Sequence, residues 1–403
     1  MITKKYSKVN IKNFIPFAFN IVRADKTEEF LSFLIWEVSW RFCKKNIKQI
    51  QFNNTLPDLM IEGGVDNLQK ALNSKLRESS VDFSLVFANG NHGIFGSGVK
   101  QCSKLFFQDY HGTITECFDF GAKIEGIFID RRENIFVCSW GMVFKSSDFG
   151  LTFKKVLDFS SNESRFLFET ITETEDHDIL IGEYGNIKKN GKWAFVGYVY
   201  VSNDEGETWK KNDFLEKHIN KHIHILKWVH QLKCLILTEG DDKKGIWTNK
   251  SNNYSLQSKD EKSGWFKRNR FHIQKGGYTS LAETKENIVL GTDYYHGTNF
   301  IVSTTDLKTF DSAMVPDPYR RSVIFRMLYL ENEIIWASLY NHLSPNRSLL
   351  MYSEDCGKSW YKFLEYDGSL LKISIISNQV GNHFYILAED LISDEQKTYI
   401  ISH

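Results

Sequence analysis

No window of this chain approaches the roughly 18 uninterrupted apolar residues of a membrane-spanning helix. The nearest, Glu29 to Phe42, is broken by Glu37 and Arg41. Cysteine is sparse and scattered: Cys43, Cys102, Cys117, Cys138, Cys234 and Cys356 include no C-x-x-C pair, so neither a zinc knuckle nor a dithiol redox motif is supported. An excess of either charge is missing too. Lysine plus arginine and aspartate plus glutamate number 50 each, so no global field favours nucleic acid or an anionic membrane. The opening "MITKKYSKVNIKNFIPFAFN" lacks a signal peptide's apolar core, which leads to the expectation of a cytoplasmic protein with reduced thiols. Proline, at 5 residues in 403, is too rare for a disordered, proline-rich chain.

Aromatic residues, at 14%, are plentiful and suit strands. Helical periodicity is confined to the first 80 residues: Lys26 to Lys45, then Val65 to Ser79, where Leu68, Leu72 and Leu76 recur at helical spacing. The first of these reads as an amphipathic helix whose aromatic face (Phe33, Trp36, Trp40) packs on the rest of the protein or engages a protein partner, with peripheral membrane attachment as the alternative. From Asp82 onward the chain breaks into short β-rich runs bounded by Gly, Asn and Asp. Two regions follow: a helical one at 1–80, with a β-structured one at 81–403.

The β-rich part repeats. Six apolar strands with polar exits, at Asn134 to Gly141, Asp178 to Asn186, Lys233 to Asp242, Asn287 to Gly297, Glu333 to His342 and His383 to Asp390, are the second strands of units about 40 to 55 residues long. That is the length of a four-stranded propeller blade. An earlier unit before Ile114, with Asp109, Gly112 and Thr113 in its turn, makes a seventh. The expected fold is mainly β, a propeller of six to seven four-stranded blades, seven preferred, with a small helical N-terminal region. The last unit stops after its third strand, so an N-terminal segment such as Asn13 to Phe19 is expected to close the ring and remove two exposed sheet edges.

One turn recurs between third and fourth strands. Its Asp can accept from the turn's own N–H groups, its Gly takes a left-handed conformation, and its hydroxyl residue and aromatic ring tie it to the blade. Ser202, Asp204, Gly206, Thr208 and Trp209 form one copy; Ser146, Asp148, Gly150, Thr152 and Phe153 another; Ser353, Asp355, Gly357, Ser359 and Trp360 a third. Asp306 and Thr309 keep part of it, with Leu307 and Lys308 where glycine is expected. This S-x-D-x-G-x-T-W pattern resembles the Asp-box (BNR) repeat of sialidase-like β-propellers, where it is structural.

Antiparallel blades put these turns on one face, and the second-strand exits and first-strand entrances on the other. The resemblance implies that a ligand binds over the channel on that second face. Glu183, Asp241 and Asp293 are the candidate acid, base or nucleophile; Arg165, Tyr184, His222, His224, Tyr278, His296, Arg320 and Tyr340 are the candidate substrate-binding residues, with Trp140 at another exit. Carboxylates, imidazoles, guanidinium groups and rings suit a sugar, because rings stack on its apolar faces while charged groups bond its hydroxyls. His222 and His224, two apart on a strand, point the same way and leave a divalent metal open. With it stays open a lyase in which His224 and the metal act beside a uronate carboxylate.

Asn13 to Phe17 lacks the arginine of the family's early Phe-Arg-Ile-Pro signature, and Arg165, Arg320 or Arg321, and Arg347 are the arginines placed to clamp a carboxylate. The expectation is a sialidase-like glycoside hydrolase using paired carboxylates on an acidic or complex glycan. The alternative is a non-catalytic propeller that binds a glycan or a protein in a polysaccharide assembly pathway. An oligo- or polysaccharide is the expected partner, with no nucleic acid and no resident cofactor.

Overall fold

The computed structural model describes residues 15, 16, 19, 22, 27–42, 47–89, 92–189, 192–216, 221–239, 245–268, 277–294, 297–343, 347–378 and 381–402. Seven antiparallel sheets follow one another around a central channel as a seven-bladed β-propeller. Blades 1 to 7 span residues 83–119, 124–158, 171–212, 223–267, 278–314, 323–366 and 371–402. The second strands lie where the repeat places them, for example Ile135–Ser139, Ile179–Gly182 and Cys234–Glu239. Their burial on both faces explains why they read as unbroken apolar runs.

Ring closure uses the N-terminal segment. Leu76–Glu78 is the fourth strand of blade 7, pairing antiparallel with Tyr399 to Ile401. The expected closing segment, Asn13 to Phe19, lies mostly outside the described residues, and the place assigned to it is filled by Leu76–Glu78. Upstream, Gln49 bridges Met314 of blade 5, and Gln51–Phe52 and Leu59–Ile61 add in parallel to the outer strand of blade 6. The expected helix over Val65 to Ser79 is therefore shorter: helix α2 covers Val65–Lys70 only. Asn73 Oδ1 accepts from the N–H groups of Lys75 and Leu76, an Asx turn that diverts the chain into the strand. Leu76 keeps its burial but packs in the blade 6–7 core with Ile61, Val65, Leu68, Trp336 and Tyr399.

Helix α1, Thr27–Phe42, fits the first helical expectation. Trp36 docks it on blade 5, its ring centre 5.3 Å from that of Phe300 in an edge-to-face arrangement and its Nε1 donating to Thr298 Oγ1 at 2.7 Å. The side chains of Phe33 and Trp40 lie outside the described residues.

The acid turns form as their chemistry requires. Ser202 Oγ donates to Asp204 Oδ1 and accepts from Gly206 N–H, while Thr208 donates to Asp204 through both N–H and Oγ1. Gly206 has φ of +83°, and a Cβ there would lie 2.3 Å from the Phe136 ring of blade 2. Glycine thus meets both a backbone demand and a close approach between blades. Trp209 packs on the same Phe136 ring. In blade 5 the turn is one residue shorter, with Asp306 accepting from Thr309 N–H three residues on instead of four. Its glycine position is deleted, and Leu307 carries the positive φ of 55°.

These bonds set an acid sensitivity. Thr152's hydroxyl and N–H hold Asp148 down to about 2, and the N–H groups of Thr309 and Lys308 do the same for Asp306. At Asp204, burial pushes the other way, but the Thr208 bonds outweigh it and the value is again about 2. A depressed carboxyl contributes stability that is complete above its unfolded value, 3.8, and is lost as pH falls through about 2. Thermal melts are expected to drop steeply across that window. The triple variant Asp148→Asn/Asp204→Asn/Asp306→Asn should start less stable at neutral pH and fall less steeply; an unchanged slope would show that these turns do not carry the effect.

Candidate functional site

The mouth of the channel, on the face opposite the acid turns, gathers an arc of polar side chains from blades 2 to 5. Arg165 and Tyr184 face each other through paired backbone bonds of 2.9 Å at the inner edge of blade 3. Arg165 Nη1 meets Glu125 Oε1 of blade 2 at 3.3 Å, and its guanidinium lies 5.1 Å from the centre of the Tyr184 ring. Tyr184 in turn packs on His222, ring centres 4.1 Å apart. Burial raises the Glu125 pKa, and Arg165 opposes that rise.

His222 and His224 do point the same way, and their Nε2 atoms are 3.0 Å apart. His222 Nδ1 lies 2.6 Å from the Gly185 carbonyl, which only accepts, so Nδ1 carries a proton. Burial, then the neighbouring His222 and Lys221, push the His224 pKa well below the usual histidine value. His224 Nδ1 stands 3.6 Å from Asp293 Oδ2. Among the described residues no group of three or more His, Cys, Asp or Glu is arranged to hold a metal.

The acids at the ends of the second strands in blades 3, 4 and 5 share a position and a habit. Glu183 is 0% exposed: Oε1 accepts from Ser160 N–H and Oγ, and Oε2 from Tyr200 Oη. Glu239, also buried, accepts from Trp247 Nε1 and Lys267 Nζ. Asp293 accepts from Gly277 N–H at 2.6 Å. Ser160 and Gly277 belong to the connections entering blades 3 and 5, so Glu183 and Asp293 fasten those connections to the blade they enter. Burial raises the Glu183 pKa, the Ser160 and Tyr200 bonds oppose it, and both carboxylate oxygens are enclosed by those partners. Asp241 and His296 lie outside the described residues.

The remaining candidates are dispersed. Tyr278 is buried in the blade 4–5 core. Arg320 is buried and turned to Thr298 and Asp317. Tyr340 is buried beside Phe325, ring centres 6.0 Å apart. Trp140 is 59% exposed at the tip of the two-residue hairpin joining Ser139 to Met142. Its φ is 48° and that of Gly141 is 69°, the signature of a type I′ turn with tryptophan in its first position.

Sequence reasoning missed the residues inside the channel. A cavity of about 200 Å³ there is lined by Leu85, Glu125, Phe168, Glu169, Arg326 and Ile375 among others. Arg326 lies across it, donating to the Ile375 and Ser377 carbonyls, with its guanidinium 3.7 Å from the Phe168 ring centre and its Nε 3.4 Å from Glu169 Oε1. Nearby, burial pushes the Lys227 pKa down to about 8, while Glu169 opposes the fall. A signal was present: Glu125 and Arg326 interrupt first strands that are otherwise apolar.

Ring and mouth define the class, a seven-bladed β-propeller with a polar arc over its channel. No family model matches the chain, and no curated protein matches it by sequence. Solved structures share the fold. A streptogramin B lyase is 13% identical, with 82% of this chain and 97% of that chain covered and a TM-score of 0.54. A chain of the mitotic checkpoint complex is 9% identical, at 82% and 96% coverage and 0.53. YCF48 bound to D1 peptide is 11% identical, at 81% and 96% coverage and 0.50. At such identities the likeness is one of fold.

Proposed function

We propose that this chain is an Asp-box propeller that binds an oligo- or polysaccharide across its channel mouth without cleaving it. The observation that carries the reading is Trp140, a large ring held in water on the mouth face by a left-handed backbone. That conformation costs a non-glycine residue roughly 1–2 kcal/mol, and such strain collects at functional positions. An exposed indole stacks on the apolar face of a sugar ring, and the partly exposed Arg165–Glu125 pair offers donors and acceptors to its hydroxyls. The engagement of Glu183 and Glu239 within the blades supports binding over hydrolysis, which needs two carboxyl groups facing the scissile bond.

The test is calorimetric titration with a panel of acidic and neutral oligosaccharides, with product analysis alongside. Trp140→Gly is expected to weaken binding by about tenfold or more while leaving thermal stability equal or higher, because glycine relieves the strained turn. Loss of stability without loss of affinity would make Trp140 a packing residue and overturn the reading. A second reading, a sialidase-like glycoside hydrolase or a lyase acting on an acidic or complex glycan, draws support from Asp293 beside His224, an arrangement able to take up a proton. Turnover that Asp293→Asn abolishes would favour it.

A further inference from the structure

We propose that helix α1 docks the ring onto the surface of an anionic lipid bilayer. The inference stands independently of the glycan reading. Trp36 fixes one side of the helix to blade 5, where Thr298 and Phe300 flank the start of its third strand on the mouth face. The other side carries Leu31, Leu34, Ile35, Val38 and Phe42, exposed by 53%, 40%, 55%, 53% and 84%. They recur at helical spacing along roughly 17 Å, one stripe of large apolar side chains facing water. Ile15, Phe19 and Val22, helical in backbone, are exposed as well. A contiguous stripe of this kind marks an interaction surface, unlike single exposed leucines.

Charge selects the occupant. Residues 1–50 hold ten Lys and Arg (Lys4, Lys5, Lys8, Lys12, Arg23, Lys26, Arg41, Lys44, Lys45, Lys48) against four acids (Asp25, Glu28, Glu29, Glu37), a net +6. The chain as a whole is neutral, so the remainder carries −6. A symmetric dimer through α1 would bring two of these basic segments together, which is repulsive. An anionic bilayer is complementary to both features, burying the apolar stripe at the headgroup boundary and attracting the flanking lysines. Among the described residues no helix is long and apolar enough to cross a membrane, so the attachment is to the surface.

The test is flotation of the full-length protein with vesicles of equimolar phosphatidylcholine and phosphatidylglycerol, compared with phosphatidylcholine alone. The protein is expected to float with the anionic vesicles at low salt and to be released at high salt. Ile35→Glu/Val38→Glu, both at exposed positions, should weaken the apparent affinity by about tenfold or more with an unchanged melt. Failure to float, equal flotation on the neutral vesicles, or flotation indifferent to the double variant would overturn the proposal. So would a dimer in light scattering, without flotation, that the double variant splits into monomers; that result would assign the stripe to a second copy of the chain.

Discussion

A chain beginning at residue 80 is expected not to form a soluble ring. Blade 7 would lose its fourth strand, Leu76–Glu78, leaving the third strand as an open edge against solvent. The blade 6–7 core would lose Ile61, Val65, Leu68 and Leu76, each buried. At about 1.5–3 kcal/mol per side chain, those four contribute roughly 6–12 kcal/mol, comparable to the whole stability of an ordinary domain. Blade 6 would also lose the parallel additions Gln51–Phe52 and Leu59–Ile61. The expected outcome is aggregation on expression, or a species without a cooperative melt, and Leu76→Asp in the full chain should drift the same way. A truncated chain that melts as the intact one does would show that six complete blades and a three-stranded seventh suffice. The helical region at 1–80 is therefore more than an appendage: the stretch from Gln49 to Glu78 pairs with three blades and helps to make the ring.

Much of the ring was legible because its information is local. Each acid turn is written within about ten residues, and the hydrogen bonds of Asp148, Asp204 and Asp355 follow from the side chains at those positions. The second strands were legible for another reason, their burial on both faces. Leu76 was misread because Leu68, Leu72 and Leu76 fit a helical period as well as they fit a helix, a turn and a strand. Only the distant edge at Tyr399 to Ile401 decides between them, and that pairing spans the length of the chain. The choice of Asn13 to Phe19 as closing segment failed on the same ground, since any short apolar run can complete a sheet in principle.

The site was less legible than the fold. Position along a strand predicts the face on which a residue emerges, and Arg165, Tyr184, His222, His224 and Asp293 do converge at the mouth. Position does not predict which way a side chain turns once there. Glu183 and Asp293 leave equivalent strand ends, yet Glu183 is enclosed by Ser160 and Tyr200 from a connecting loop and a neighbouring strand. Trp140 shows the reverse: an aromatic residue in an apolar strand exit reads as packing until its backbone is seen to hold it outward.

Arg326→Ala is expected to cost about 3–5 kcal/mol, more than its partial contact with the cavity suggests. The guanidinium joins three blades at once: its own blade 6, the Ile375 and Ser377 carbonyls of blade 7, and Glu169 and Phe168 at the entry to blade 3. Phe168 stacks in turn on Phe87 of blade 1, ring centres 5.9 Å apart. Removing the arginine leaves the Ile375 and Ser377 carbonyls without a donor and Glu169 with only the nearby Lys227 as a cation, so the loss is mainly the penalty of buried polar groups that lose their partner. Replacing both members, as in Arg326→Ala/Glu169→Gln, removes that penalty and should recover a large part of the loss. The coupling in the double-mutant cycle is expected to be about 1–3 kcal/mol by denaturant titration. A double variant no more stable than Arg326→Ala would mean that the arginine acts by filling the channel, and the ion pair would then have no part in holding the blades together.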